Sequence, residues 1–115
     1  MAISWINLNE KEQLEVAVRA SAQKTIVLFK HSTRCIVSRY ALSQFEKEWT
    51  YNTDHIDFYL LDLLNFRELS NYISQVFTIQ HQSPQILVIQ NEHVVYHASH
   101  EGISASVLNH KLIGK

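Results

Sequence analysis

The stretch FKHSTRCIVSRY, residues 29–40, decides how the chain is organised. The segment TIVLFK (25–30), which overlaps the start of this stretch, is nearly continuous apolar sequence with β-branched residues. This pattern predicts a strand covered on both faces. After Cys35, apolar residues recur every four positions and predict one face of a helix that reaches about residue 49. These residues are Val37, Ala41, Phe45 and Trp49. Polar residues 31–33 separate the strand from the helix, so we expect Cys35, the only cysteine, in the first helical turn.

The expected position of Cys35 has chemical consequences. Free backbone N–H groups and the dipole of a helix start favour an anion, so a cysteine there can titrate well below its usual pKa of about 8.5. His31 and Arg34 would act in the same direction if their side chains turned toward the sulfur. The alternative is that Cys35 is a small buried hydrophobe, as a lone cysteine often is. Its polar neighbours favour a reactive thiol.

Length and composition predict one globular domain. The 115 residues, of which 46% are hydrophobic and 18% charged, can form a core without metal or disulfide staples. A net charge of −1 with interspersed signs indicates no nucleic-acid partner and no membrane-surface partner. One cysteine cannot form an internal disulfide, which fits a reducing compartment. With neither a signal-peptide pattern nor an apolar run near the roughly 20 residues of a spanning helix, we expect a soluble, cytoplasmic protein.

The N-terminal part of the chain predicts a strand and a helix. Residues 3–6 fit a short edge strand, and a helix is expected from about residue 10 to residue 22. Asn7 or Asn9 can cap this helix. One face of this helix is marked by Leu14, Ala17, Val18 and Ser21.

The middle of the chain repeats the order of strand and helix. Residues 55–63 alternate and then become wholly apolar, which suits a second central strand. Asn65 and Glu68 have the spacing of a capping box at the start of a helix that reaches about residue 78. Strands joined in this way through helices must run parallel, with right-handed crossovers.

The C-terminal part has a different pattern. Residues 85–89 and 94–97 are strand-like, and the short segment 90–93 between them predicts an antiparallel hairpin. A last helix is expected from about Ser104, with Val107, Leu108 and Leu112 on one face. The chain should therefore form a three-layer α/β sandwich around a mixed sheet.

Pro84, the only proline, ends the loop HQSP (81–84) before the antiparallel strand. In the expected layout this loop and the loop before Cys35 lie beside the same sheet. Proline is tolerated at the first residue of a strand, and only about 5 to 6% of X-Pro bonds are cis, so base rates alone predict a trans bond.

The order of elements resembles the thioredoxin fold over nearly the full chain. It comprises a strand, a helix headed by cysteine, a strand, a helix, a loop ending in proline, a hairpin and a final helix. The resemblance implies a thioredoxin-like α/β/α sandwich with a central mixed sheet of four or five strands. It also implies that Pro84 is cis and packs against the cysteine loop, and that Ser83 offers backbone groups to an incoming peptide or thiol.

A closer resemblance comes from KHSTRC (30–35), followed by Ser38 and by SPQ (83–85). These residues are similar to the motif K-H-S-x-x-C-x-I-S of the monothiol bacilliredoxin family, of the YtxJ type, which belongs to the bacillithiol system. Val37 stands where that motif has Ile. Ser38 fills the position at which a two-cysteine thioredoxin carries its resolving cysteine, and serine cannot form a disulfide.

The resemblance implies thiol–disulfide exchange with a low-molecular-weight thiol. Cys35 would attack the bacillithiol sulfur of an S-thiolated protein, release the protein thiol and become bacillithiolated itself. Bacillithiol would thus be a co-substrate, with no cofactor bound. The expected supporting residues are His31, Thr33, Arg34, Ser38, Ser83 and Pro84. Among them, Ser38 would hydrogen-bond the attacking or leaving sulfur, and Arg34 would hold a carboxylate of the thiol or be a solvated side chain.

Other residues are interpreted conservatively. Seven histidines invite a metal site, and His93, His97 and His100 lie near one another in sequence, but no carboxylate or cysteine completes a ligand pattern. We therefore predict no metal site. The aromatic residues are expected in the core or at its rim; they include Trp5, Tyr40, Trp49 and Tyr72.

Two alternative functions stay open at the level of sequence. One is an iron–sulfur carrier resembling monothiol glutaredoxins, although the Gly and Phe of their Cys-Gly-Phe-Ser motif are absent. The other is a redox-inactive interaction module that keeps the fold as a binding platform. The chain is expected to be a monomer or a weak dimer, with thiols and S-thiolated proteins as partners.

Overall fold

A computed structural model of the chain describes residues 3–113. Five strands and four α-helices alternate along most of this range, and a short 3-10 turn, His100–Gly102, precedes the last helix. The strands are β1 (Trp5–Asn7), β2 (Thr25–His31), β3 (Ile56–Asp62), β4 (Gln85–Gln90) and β5 (His93–Ser99). The helices are α1 (Lys11–Ala20), α2 (Ile36–Glu48), α3 (Arg67–Phe77) and α4 (Ala105–Ile113).

The strands form one mixed sheet in the order β1-β3-β2-β4-β5. β1 and β2 both run parallel to β3, whereas β4 is antiparallel to both β2 and β5. β2 therefore lies at the centre, between a parallel and an antiparallel neighbour. This arrangement confirms the predicted mixed sheet, with five strands.

Helices cover both faces of the sheet, which explains why the central strands are almost wholly apolar. α2 and α4 pack on one face through Phe45, Trp49, Ala105 and Leu108. α1 and α3 cover the other face through Leu14, Leu69 and Ile73. Successive residues of β2 alternate between these two cores, with Phe29 in the first and Leu28 in the second. The predicted three-layer sandwich is confirmed.

The predicted apolar face of α2 is wrong at its first residue. Val37 is 55% exposed, whereas Ser38 is fully buried. A step of four residues advances 400° around a helix of 3.6 residues per turn, so three such steps rotate the face by about 120°. Phe45 and Trp49 are buried as expected, and the inward position two turns before Phe45 belongs to Ser38 rather than Val37.

Two predicted helix caps are also wrong. Asn65 does not cap α3; its Nδ2 donates to Asp62 Oδ2 at 2.7 Å, and the residue before the helix is Phe66. At the start of α1, neither Asn7 nor Asn9 is the capping residue. There, Gln13 Oε1 instead accepts hydrogen bonds from the backbone N–H groups of residues 9 and 10. At α1 a side chain from another position thus binds the free backbone N–H groups, and at α3 the Asn65 side chain is held by Asp62.

The hairpin between β4 and β5 is tighter than predicted. Gln90 pairs with His93, which leaves only Asn91 and Glu92 in the turn. Both have positive φ, 52° and 66°, the conformation of the two-residue turn that matches strand twist. The last helix begins at Ala105 as expected, with Leu108 buried, but Val107 is 43% exposed and does not belong to its buried face. Within residues 3–113, no helix is long and apolar enough to cross a membrane.

Candidate active site

Cys35 lies immediately before α2, one residue earlier than predicted. Its backbone is extended, with φ −98° and ψ 123°, and its side chain is partly exposed. Its N–H donates to Ser32 O at 3.2 Å, and its carbonyl accepts from Arg39 N at 3.0 Å. The thiol therefore stands at the positive end of a helix, where backbone N–H groups favour negative charge.

The cysteine loop is held by a buried pair of side chains, His31 and Ser38. His31 Nδ1 lies 2.7 Å from Ser38 Oγ, and the same oxygen accepts the N–H of Ser32 at 3.0 Å. His31 is 6% exposed and Ser38 is fully buried. This single hydroxyl thus ties the end of β2, the start of the loop and the first turn of α2 together.

The charge of His31 follows from this burial. Desolvation lowers the pKa of His31 below its usual value of 6.5; the charges of Asp62 and Glu46 raise it by less, and Arg39 adds the smallest effect, a further lowering. The imidazole is consequently neutral near pH 7. His31 therefore does not bring a positive charge to the sulfur, as the sequence had suggested it could, and its contact with Ser38 orients the loop instead.

The other predicted supporting residues divide into two groups. Thr33 and Arg34 are exposed in the loop before Cys35, open to any molecule that approaches the thiol. Ser38, by contrast, has its hydroxyl committed to His31 and Ser32. The expected hydrogen bond from Ser38 to the sulfur would require that hydroxyl to leave these partners.

The Ser83–Pro84 bond is cis, as the resemblance implied and contrary to the base rate. Gln85 pairs with Lys30 in antiparallel register, so Pro84 and Ser83 continue along the end of β2, where the cysteine loop begins. Pro84 is buried, and its carbonyl accepts the N–H of His100 at 3.0 Å. The hydroxyl of Ser83 is buried without a hydrogen-bond partner among the described residues.

The direction of the chain explains why these loops meet. β2 and β3 are adjacent and parallel, but α2 and α3, which follow them, lie on opposite faces of the sheet. Such a switch point opens a crevice at the carboxyl ends of the strands, the common place for a site in an open α/β sheet. Here the N–H of Leu63 donates to His31 O at 3.0 Å and joins the two loops at their base.

A buried lysine is the site feature that the sequence interpretation missed. Lys30 is 0% exposed, and its Nζ donates to Ser70 O and Ser74 Oγ, each at 3.1 Å. It also lies 3.4 Å from His81 Nδ1. Burial lowers the pKa of Lys30 from 10.5 to about 8. The sequence carried a clue, because a lysine within a strand covered on both faces has no direct route to solvent.

The surface beside Cys35 is apolar and exposed. Ile36 is 73% exposed, Val37 55% and Tyr40 67%, so the prediction that Tyr40 lies in the core or at its rim is wrong. A surface cleft of about 790 Å³ lies elsewhere, between Asn9 and α3, and Cys35 does not line it. The thiol therefore faces an open, partly apolar surface.

The histidines do not combine into a metal site in the described part of the chain. Residues 3–113 contain no group of three or more His, Cys, Asp or Glu side chains arranged to hold a metal ion. His93 and His97 are both exposed on β5.

Comparison with solved structures supports this description. A thioredoxin-fold protein described as a candidate oxidoreductase is 32% identical, superposes with a TM-score of 0.80, and aligns over 92% of this chain and 91% of its own. Thioredoxin from Malassezia sympodialis is 15% identical with a TM-score of 0.73, over 99% of this chain and 91% of its own. Thioredoxin from Trypanosoma brucei brucei is 18% identical with a TM-score of 0.73, over 99% and 92%. At such low identity the two thioredoxins show the fold alone.

Comparison with protein families is more specific. Residues 6–108 match the family described as monothiol bacilliredoxin BrxC. This range includes the cysteine loop, α2, the Ser83–Pro84 bond and both strands of the hairpin. A single thiol at a helix start, a serine one turn later and a thioredoxin fold are together consistent with that match. The chain therefore belongs to the monothiol bacilliredoxin family and is a thiol–disulfide oxidoreductase of thioredoxin-like fold.

Proposed function

We propose that the protein removes bacillithiol from S-bacillithiolated proteins through Cys35. The observation that carries the proposal is the single thiol at the start of α2, with a fully buried serine at position 38 in place of a second cysteine. Because serine cannot form a disulfide, the thiol that resolves the intermediate must come from another molecule. A family named for bacillithiol exchange supports bacillithiol as that molecule.

The proposed reaction has two exchange steps. In the first, the thiolate of Cys35 attacks the bacillithiol sulfur of the mixed disulfide, the original S–S bond breaks, and the substrate thiolate leaves and takes up a proton. In the second, the thiolate of a free bacillithiol attacks the bacillithiol sulfur held on Cys35. This step releases bacillithiol disulfide and regenerates the Cys35 thiolate. Over the two steps, the mixed disulfide and one free bacillithiol become the substrate thiol and bacillithiol disulfide, so the disulfide bond passes from the substrate cysteine to the incoming bacillithiol.

Residues around Cys35 have distinct roles in the proposal. The exposed guanidinium of Arg34 binds a carboxylate of bacillithiol, a geometry for which arginine is well suited. The backbone of Ser83, beside the cis bond, pairs with the segment that carries the disulfide. Ile36, Val37 and Tyr40 form an exposed apolar surface that contacts the substrate protein.

The setting of the reaction follows from the same chemistry. Bacillithiol is a co-substrate in this proposal, and no bound cofactor takes part. A lone, partly exposed thiol functions best in a reducing compartment such as the cytoplasm. One copy of the chain supplies every residue that the two steps need, so a monomer or a weak dimer suffices.

Intact-mass spectrometry with a bacillithiolated protein as substrate tests the proposal. The wild-type protein should acquire one bacillithiol on Cys35 while the substrate loses it, and added bacillithiol should then remove the adduct. The Cys35→Ser variant should leave the substrate modified. The absence of any adduct on Cys35 in the wild-type protein would show that the proposed reaction is wrong.

A second substrate tests the identity of the small thiol. The same target protein, modified with glutathione instead of bacillithiol, differs only in the group transferred. We expect clearly faster exchange with the bacillithiolated form. Equal rates would retain Cys35 as an exchange thiol but contradict the preference for bacillithiol.

A further inference from the structure

Lys30 has an unusual environment for a charged side chain. It is fully buried, and its ammonium group has three acceptors at hand, Ser70 O and Ser74 Oγ at 3.1 Å and His81 Nδ1 at 3.4 Å. An ammonium group carries three N–H donors, so these contacts account for all of them. The arrangement satisfies a positive charge inside the protein without a carboxylate partner.

The contacts of Lys30 link three separate elements. Lys30 belongs to β2, the two serines belong to α3, and His81 belongs to the loop that ends at Pro84. Ser70 Oγ also lies 3.3 Å from His81 Nδ1, on the helix side of the same ring. The loop that carries the cis bond is thus fastened to the strand that leads to Cys35.

Gln85 fastens the same loop at a second point. Gln85 pairs with Lys30 across β2 and β4, so the two side chains share one face of the sheet. The Nε2 of Gln85 donates to the backbone oxygen of Gln80 at 3.1 Å, and Gln80 is the residue before His81. The segment 80–84 therefore has polar anchors at two adjacent residues at its start, Gln80 and His81.

Stability alone does not account for a lysine at this position. Removing a charge from water is costly, and apolar replacements of buried charged groups are often neutral or stabilising. A methionine at position 30 would fill a similar volume, and Ser70 Oγ could still donate to His81. The structural reason to keep an ammonium group is the geometry that it imposes on its partners.

We propose that Lys30 is a positioning residue, whose buried ammonium group holds His81 against α3 so that Ser83 and Pro84 stand opposite Cys35. The proposal rests on thiol exchange at Cys35 and holds whichever small thiol is the partner. Lys30 does not touch the reacting sulfur atoms. Lys30 instead sets the position of the loop that ends at Pro84, and this loop binds the disulfide.

The first test follows the loop directly by NMR. In a Cys35→Ser background, which removes titration of the thiol, the amides of residues 79–83 are recorded as pH rises. They should shift with a midpoint near pH 8, where Lys30 loses its proton. His81 is the titratable group that faces Lys30. The pKa of His81 is lowered below 6.5 by burial and by the charges of Lys30 and Arg67, so its titration is separated in pH from that of Lys30.

Two variants give this titration its controls. Lys30→Met should abolish the step near pH 8. Lys24→Met should retain it, because Lys24 lies just before the other end of β2 and pairs with Asp57 at 3.1 Å on a half-exposed surface. A step that persists in Lys30→Met would overturn the proposal, as would its loss in Lys24→Met.

Ser74→Ala tests the contact even if Lys30→Met does not fold. Ser74 Oγ accepts a hydrogen bond from the charged form of Lys30. Removing that acceptor disfavours the charged form, so the midpoint should fall below that of the Cys35→Ser parent. An unchanged midpoint would overturn the proposed network.

The kinetic test uses the protein with Cys35 intact, 2-hydroxyethyl disulfide as a small substrate, and dithiothreitol as the reductant that regenerates Cys35 after each turnover, with the direct reaction between the two reagents subtracted. Lys30→Met should lower kcat/KM about tenfold, mainly through KM, because displacement of a positioning loop weakens productive binding. Alkylation of Cys35 by iodoacetamide, which does not need the loop, should stay unchanged. Equal kcat/KM for Lys30→Met and Lys24→Met would overturn the proposal. These measurements need no bacillithiol, so they are independent of which small thiol is the natural partner.

Discussion

Replacing Ser38 with alanine removes one hydroxyl that has two partners at the base of the cysteine loop. Ser38 Oγ lies 2.7 Å from His31 Nδ1 and accepts the Ser32 N–H at 3.0 Å. Ser38 is fully buried and His31 is 6% exposed, so water cannot easily replace the hydroxyl at the imidazole. Ser32 is half-buried, and its N–H can recover part of its hydrogen bonding from water.

The size of the effect follows from these environments. Leaving a buried polar group without a partner costs about 1 to 3 kcal/mol, and the half-buried N–H adds a smaller amount, so we expect a total loss of about 2 to 3 kcal/mol. The unfolding entropy of a chain of 115 residues is about 0.24 kcal/mol per kelvin. The expected fall in Tm is therefore about 8 to 12 °C.

Thermal unfolding followed by far-ultraviolet circular dichroism measures this loss. Ser43→Ala is the matched control, because Ser43 is exposed on the same helix and its replacement should change stability by less than about 0.5 kcal/mol. If Ser38→Ala lowers Tm no more than Ser43→Ala does, the reasoning about the buried hydroxyl is wrong. A change in thiol reactivity without a loss of stability would instead favour a direct bond from Ser38 to the sulfur.

Three further outcomes follow from the buried groups and the exposed surface. Because burial lowers the pKa of His31 below 6.5, the unfolded chain binds more protons in acid, and the free energy of unfolding should fall as pH drops below 6.5. Urea titrations should show a smaller fall for His31→Gln, and an equal fall would contradict this origin. The pKa of Lys30 is lowered from 10.5 to about 8, so the unfolded chain binds more protons between these values and Lys30 makes stability rise with pH across them. The free energy of unfolding of Lys30→Met should lack this contribution, so a wild-type minus variant difference that stays constant across the window would refute it. Tyr40→Ser should slow exchange with a protein substrate about fivefold or more, yet leave both Tm and the rate with a small disulfide unchanged, because Tyr40 is 67% exposed. Equal losses with both substrates would exclude a contact with the protein partner.

The fold was largely predictable because its signals are local. The apolar run 25–30 lies within β2, the segment 55–63 spans β3, and the short gap before residue 94 contains the turn between β4 and β5. Thr25–His31 and Ile56–Asp62 differ from their predicted bounds by one residue at each changed end. The helix caps were less predictable, because Asn65 had a nearby acceptor in Asp62 that the capping pattern does not include.

At the site, the nucleophile could be predicted from the sequence, but most contacts of the residues that hold the surrounding loops could not. A cysteine between a buried strand and a helix is visible in sequence, and so is a single proline before the antiparallel strand. The contact of His31 with Ser38 depends on the rotation of α2, which brings Ser38 rather than Val37 inward. The contacts of Lys30 depend on the placement of α3 and the loop 80–84, which join residues 40 to 51 positions apart. Contacts between residues so far apart in the chain leave no periodic pattern in the local sequence from which they could be predicted.

The central place of β2 has a consequence for how the protein opens. β2 is hydrogen-bonded to β3 on one side and to β4 on the other, while β1 and β5 each have one neighbouring strand. Amide protons of β2 should therefore exchange with solvent only in the rarest, near-global openings, whereas the two edges fray more often. Cys35 stands four residues beyond the end of this strand, so either edge of the sheet can detach for a moment without carrying the thiol away from its loop.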